Sequence, residues 1–199
     1  MKIICLSHND FDLRMENLGL NDSNVDEAVD KALISIIGTE ECLKYWLDEA
    51  DTKHYFTNGH NNVLNLDFDD LSKDLMFQGH LFKTMTMKQA EDTVEFIENC
   101  INNGATEFCV HCRAGVSRSR AVSEFIYRTL QDKGYSDIEY IDRDDYSSRV
   151  NSGVLRRLQH AYWRKHKMNG YENGEEYPIE LADDGFDIND EYEKVEDVL

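Results

Sequence analysis

The sequence predicts an α/β fold, a single domain with a central, mostly parallel sheet flanked by helices. Three observations carry that expectation. Residues 62–67, 87–103 and 107–112 read as strand, helix and strand, and such a crossover places two strands parallel with the helix on a sheet face. Two more apolar runs of strand length, 2–7 and 32–37, precede this unit. A second amphipathic helix then follows directly on strand 107–112, across a short loop.

Taken in order, 2–7 (Lys-Ile-Ile-Cys-Leu-Ser) and 32–37 (Ala-Leu-Ile-Ser-Ile-Ile) are the first strands. The polar, acidic stretch between them offers one short helix near 25–30. A helix is expected over 39–47, and an alternating strand from Asn62 runs into the acidic turn Asp67-Phe68-Asp69-Asp70. Residues 71–83 read as a loop. Thr86 with Gln89 three positions later forms a capping-box signature; Met87, Ala90, Val94, Ile97 and Ile101 then trace one helical face, and Gly104 stops it. Glu107-Phe108-Cys109-Val110-His111 is short, apolar and partly β-branched, as a buried strand is. From Ser117, the positions Ala121, Val122, Phe125, Ile126, Thr129 and Leu130 form the apolar face of a helix ending near Gly134. Residues 135–150 read as a polar connection. The last helix, 151–167, carries Val154, Leu155, Leu158, Ala161 and Tyr162 on one side and Arg156, Arg157, Arg164, Lys165, His166 and Lys167 elsewhere.

The domain is expected to span 1–170, with an acidic tail over 171–199 that holds twelve acidic residues against Lys194. That tail is either a solvated appendage or a segment docked on the basic side of the last helix. The formal charge of −19 argues against a nucleic-acid surface and against anionic membranes, both of which demand basic patches. There is no apolar run of membrane-spanning length and no signal-peptide pattern. Five cysteines, an odd number, point to a reducing, cytoplasmic compartment.

The chemistry concentrates in His111-Cys112-Arg113-Ala114-Gly115-Val116-Ser117-Arg118-Ser119, between the strand and the helix. A thiolate needs positive potential, which a helix N-terminus and a guanidinium both supply. The same backbone amides can bind phosphate oxygens. One loop can thus hold a nucleophile at Cys112 and a phosphate cradle formed by Arg113, Ala114, Gly115, Val116, Ser117 and Arg118. Each residue also has an ordinary structural reading: a buried strand-end cysteine, a hydrogen-bonded core histidine at His111, a helix-start serine at Ser119.

These nine residues resemble the His-Cys-x5-Arg-Ser/Thr loop of cysteine-dependent protein phosphatases, most closely the dual-specificity and protein-tyrosine type; the strong similarity covers about residues 62–133. The resemblance implies that Cys112 is the nucleophile and that Arg118 binds phosphate bidentately. It implies that Ser119 assists the leaving thiolate and that His111 helps hold the loop and the thiolate form. The expected reaction is two-step, through a phosphocysteine that water hydrolyses, with neither metal nor organic cofactor. The expected substrate is a phosphorylated protein, at phosphotyrosine or phosphoserine/threonine.

A leaving oxygen needs a proton, so a general acid is expected upstream. Phe68-Asp69-Asp70 looks like the stretch preceding the acid loop in several members of that family, which favours Asp70, then Asp69, with Asp74 third. Two features depart from the family: the interval from Asp70 to Cys112 is longer than usual, and the loop lacks proline, Pro178 being the only one in the chain. Cys109-Val110-His111-Cys112 is formally a Cys-x-x-Cys. Cys109 reads as a buried strand residue, with a resolving cysteine for oxidised Cys112, a thioredoxin-like pair and a zinc half-site as the alternatives. Two rival functions stay open: a phosphatase for phosphoinositides or RNA 5′-phosphates, and a phosphoprotein-binding module without turnover.

Overall fold

The computed structural model of the chain describes residues 1–46, 53–142 and 150–167. The expected tail, 171–199, and the boundary at 170 lie outside the described residues, as does the end of the helix expected over 39–47. Five strands form one parallel sheet in the order β3-β2-β6-β1-β7: β1 Lys2–Ser7, β2 Lys31–Ile37, β3 Val63–Asp67, β6 Glu107–Cys112 and β7 Glu139–Asp142. A separate antiparallel hairpin joins β4 Leu75–Phe77 to β5 His80–Phe82. The helices are α1 His8–Leu18, α2 Glu40–Trp46, α3 Met87–Asn102, α4 Arg118–Asp132 and α5 Ser152–Lys167. Residues Met1–Trp163 make up one compact unit. No helix among the described residues is long and apolar enough to cross a membrane.

The central strand β6 lies between β2 and β1, which forces both of its faces into the interior. On one face Phe108, Val110 and Cys112 join Ile3, Ile34, Ile36 and the apolar sides of α3, α4 and α5. On the other, Cys109 joins Ile4, Leu33, Val63 and the two buried apolar residues of α1, Phe11 and Met15. Each fully buried Ile, Val, Leu or Phe contributes about 1.5–3 kcal/mol relative to exposure. The expected helical faces are the observed ones: Ala90, Val94, Ile97 and Ile101 on α3, and Ala121, Val122, Phe125, Ile126, Thr129 and Leu130 on α4, are buried. The Thr86–Gln89 capping box forms with both reciprocal bonds.

Three elements depart from the expectation. The first is α1, where a polar stretch was expected. Only Phe11 and Met15 carry its packing alongside His8, so the apolar periodicity is thin, but both ends are chemically marked. Ser7 accepts from the Asp10 backbone N–H, and Gly19 closes the helix at φ +67°. The second is the hairpin, which stands where a loop over 71–83 was expected. Its turn is Gln78-Gly79, both at positive φ, between two apolar triplets. The third is β7, within the expected polar connection. Among the described residues it is an edge strand that pairs with β1 alone, so half-exposed Glu-Tyr-Ile-Asp suffices.

A polar clasp ties residues 22–26 to 57–61. His60 is bonded through Nε2 to Asp22 at 2.9 Å and through Nδ1 to Asp26 at 2.8 Å. Asp22 also accepts from the Thr57 and Asn58 backbone N–H groups. The bonds to Asp26 and Asp22 raise the His60 pKa above its ordinary 6.5, and the His60 bond pulls Asp22 down to about 2. A raised histidine stabilises the fold fully below its unfolded pKa, and that contribution is lost as pH rises through the folded value. A lowered aspartate stabilises above its ordinary 3.8 and loses its contribution as pH falls toward 2. Melting temperatures of the wild type and His60→Gln should therefore differ most between about pH 4 and 6.5 and converge as pH rises beyond neutrality. A constant difference across that range would mean that the clasp is not ionic.

Candidate active site

Cys112 ends the central strand, and α4 begins six residues later, so the intervening loop lies beyond the carboxyl end of the sheet. That is where ligands bind in open α/β folds. The loop doubles back over β1. Gly115 makes the turn at φ +73°, and a Cβ there would stand 2.6 Å from the Leu6 carbonyl carbon and 2.7 Å from the Ser7 nitrogen. Only glycine satisfies both the left-handed backbone and this approach. Arg113 fixes the loop's other limb by accepting, through its carbonyl, the His8 N–H at 3.2 Å. Among the described residues, the backbone N–H groups of Ala114, Gly115, Val116 and Ser117 donate to no protein acceptor. These amides, with the N-terminus of the fifteen-residue α4, are the local source of positive potential.

The side chains converge on the same loop. Cys112 Sγ and Ser119 Oγ are 3.1 Å apart, both buried. The Cys5 thiol, from β1, donates to the same Ser119 hydroxyl at 3.3 Å, and burial pushes the Cys5 thiol up to about 12. Arg118 is only 7% exposed; its Nη1 donates to the Phe68 carbonyl at 2.8 Å, while its buried Nε has no hydrogen-bond partner among the described residues. A guanidinium anchored at one corner, with a donor unused, is oriented for a planar or tetrahedral anion. Arg113 is exposed. His111 is fully buried behind the loop. Its Nε2 is 2.7 Å from Ser35 Oγ, and burial, then His8 and His54, hold its pKa well below the usual 6.5.

The two adjacent aspartates have opposite surroundings. Asp69 is 2% exposed and accepts from the Thr39 N–H, the Thr39 hydroxyl and the Lys83 N–H. Asp70 is exposed and faces the loop: Oδ1 accepts from Ser117 Oγ at 2.6 Å and from Asn151 Nδ2 at 2.8 Å. Both donors use Oδ1, so Oδ2 has no protein partner among the described residues. Asp74 accepts from the Thr84 N–H and braces the base of the hairpin.

Asn151 is the contributor that sequence reading overlooked. Its Oδ1 accepts from the Val154 N–H, capping α5, and its Nδ2 reaches Asp70 and the Leu71 carbonyl. An asparagine before an apolar helical run is a capping signal. That its amide end reaches a residue 81 positions away has no local signature. Gly153 seals the same contact, since a Cβ there would meet the Ser72 backbone at 2.8 Å.

The Cys-x-x-Cys pattern does not act as a pair. Cys109 and Cys112 are three positions apart on one strand, so their side chains leave opposite faces and their Cα atoms are about 10 Å apart. A disulfide needs less than about 7 Å, so Cys109, against the expectation of a resolving cysteine, is not placed to pair with Cys112; it packs in the α1-side core. All five cysteines are free thiols. No group of three or more His, Cys, Asp or Glu among the described residues is placed to hold a metal ion.

No protein-family model, curated protein or solved structure matches the chain.

The unequal anchoring of the two aspartates has a measurable consequence. Asp69→Ala strands several buried donors at roughly 1–3 kcal/mol each and should lower the unfolding free energy by that order. Asp70→Ala, at an exposed site, should change it by about 0.5 kcal/mol or less. Urea unfolding of both variants checks the contrast, and equal losses would overturn the division of labour.

Proposed function

We propose that this chain is a cysteine-dependent phosphomonoester hydrolase acting on phosphotyrosine or phosphoserine/threonine in proteins. The observation that carries the reading is the convergence on one loop of Cys112, Ser119 at 3.1 Å from its sulfur, and an anchored Arg118 with a buried donor unused. The resemblance of residues 111–119 to the phosphatase loop supplies the chemistry that this arrangement suits.

In the proposed reaction the phosphate oxygens take up the loop amides from Ala114 to Ser117 and the fork of Arg118. The Cys112 thiolate attacks phosphorus, and the P–O bond to the substrate breaks as the S–P bond forms. Asp70 delivers a proton from Oδ2 to the departing oxygen, while Ser117 and Asn151 hold Oδ1. Water then attacks the phosphocysteine with Asp70, now a carboxylate, taking its proton. Ser119 stabilises the leaving thiolate by donating its hydroxyl. In this assignment Asp69 is the structural neighbour of the acid, because its carboxylate is occupied by Thr39 and Lys83.

The test is hydrolysis of an aryl phosphate with EDTA present. Cys112→Ser should abolish turnover, and Arg118→Lys should lose most of it because an ammonium cannot reproduce the bidentate fork. Asp70→Asn should lower kcat by roughly 10²–10⁴-fold, with a smaller loss for a substrate whose leaving group needs no proton. Undiminished activity in Cys112→Ser would overturn the reading; a full effect in Asp69→Asn with none in Asp70→Asn would move the acid by one residue.

A further inference from the structure

A chain of hydrogen bonds links the residue before Cys112 to the protein surface on the α1 side of the sheet. His111 on β6 is in register with Ser35 on β2, and both are fully buried. His111 Nε2 is 2.7 Å from Ser35 Oγ; Ser35 Oγ is 2.7 Å from His54 Nδ1; His54 Nε2 is 2.8 Å from Asp67 Oδ1. Exposure rises along the chain, to 14% for the His54 side chain and 63% for that of Asp67 at the end of β3. Two buried residues and one nearly buried one thus connect an exposed carboxylate to the residue that precedes the candidate nucleophile.

The serine hydroxyl has a single proton, which makes the chain directional. His111 is held neutral by its burial and so has one N–H, on either Nδ1 or Nε2. With His54 neutral, Asp67 takes the His54 Nε2 proton, Ser35 donates to His54 Nδ1, and His111 donates to Ser35 from Nε2. The Nδ1 of His111 is then a bare lone pair. With His54 protonated, it donates both to Asp67 and to Ser35, Ser35 donates inward to Nε2 of His111, and the His111 proton resides on Nδ1. The two states differ by one proton on His54 and require no heavy atom to move.

The Nδ1 atom of His111 is the inner end of the chain. It is buried without a hydrogen-bond partner among the described residues, and the Cys112 backbone is the neighbour that favours the protonated ring. In the inward state the His54 Nδ1–H and the Ser35 O–H both have their positive ends turned inward along the chain, while the His54 Nε2–H points outward to Asp67. The His8 ring of α1, itself 3.5 Å from Asp12, stands edge-on to His111 at 5.1 Å; Phe11 covers the His111 ring at 4.2 Å; and Arg118 of α4 adds positive potential. Among the described residues, the groups bonded to the His54 ring are Ser35 of β2 and Asp67 of β3.

We propose that Asp67, His54 and Ser35 are positioning residues that decide which ring nitrogen of His111 carries its proton, and thereby set the potential at Cys112. The Asp67 carboxylate can only accept, so it fixes Nε2 of His54 as a donor in both states. The proposal concerns the nucleophile of the reaction proposed above, but it is read on the thiol and on the rings, so it stands or falls without turnover.

The test uses the full chain with ¹⁵N-labelled histidine. Two-bond ring correlations should show His111 passing from Nδ1–H to Nε2–H as pH rises. Asp67→Asn removes the anionic acceptor of the doubly donating His54 ring, so it should hold His111 in the Nε2–H form at about pH 6. In the same variant, iodoacetamide alkylation of Cys112 at about pH 6 should slow about three- to tenfold, the size of one reoriented hydrogen bond, and rejoin the wild-type rate at about pH 8.5. Asp67→Glu should restore the wild-type behaviour. Ser35→Ala breaks the chain within the core, so Asp67→Asn, at an exposed site, is the variant that keeps the fold. A His111 tautomer that ignores both pH and Asp67→Asn, or an alkylation rate unchanged in a folded Asp67→Asn, would overturn the proposal.

Discussion

The alternation of side chains along β6 governs the rest of the molecule. A strand sends successive residues to opposite faces, and β6 is buried on both because β2 and β1 flank it. Cys112 therefore turns toward α4 and the core it shares with α3 and α5, while His111 turns toward α1. The two neighbours draw on different surroundings: the cysteine on Ser119 and the start of α4, the histidine on Ser35, His8 and Phe11. The same alternation places Cys109 on the histidine's side, three residues from a thiol it cannot reach.

A second constraint comes from the close approach of backbones at the sheet's carboxyl edge. Gly115 packs against Leu6 and Ser7, and Gly153 against Ser72, each at distances that admit no Cβ. The first contact folds the loop over β1 and aims α4 at Cys112. The second brings α5 and Asn151 onto the acidic turn. Arg157 reinforces that contact, since its Nη1 donates to the Ser72 carbonyl at 3.1 Å. The turn is thus held from four directions: by Thr39, by Lys83 at the foot of the hairpin, by Ser117 in the loop, and by Asn151. Two chemically identical side chains emerge with different tasks, Asp69 neutralising buried donors and Asp70 presenting one oxygen beside the loop. Burial, not residue type, separates them.

The sequence by itself determined the main strands, the faces of α3, α4 and α5, and the loop from Cys112 to Ser119. These follow from periods of two and 3.6 residues and from caps such as Thr86–Gln89, all set by neighbours in the chain. The signal was weaker where little is buried: α1 packs mainly through Phe11 and Met15, β7 pairs on one edge, and the β4–β5 hairpin keeps Leu75, Met76 and Phe77 exposed. Their turn and cap residues, Ser7, Gly19 and Gln78-Gly79, were present but not sufficient without an apolar pattern. Only the tertiary structure decided which aspartate is sequestered, that Asn151 holds Asp70, and that His54 and Asp67 connect to His111. Those relations join residues as far apart as 76 and 81 positions, through the strand order β3-β2-β6-β1-β7 and the approach of α5 to the acidic turn. A hydrogen bond depends on ångström-scale placement of both partners, and local periodicity carries no information about which distant strand or helix will supply the second one.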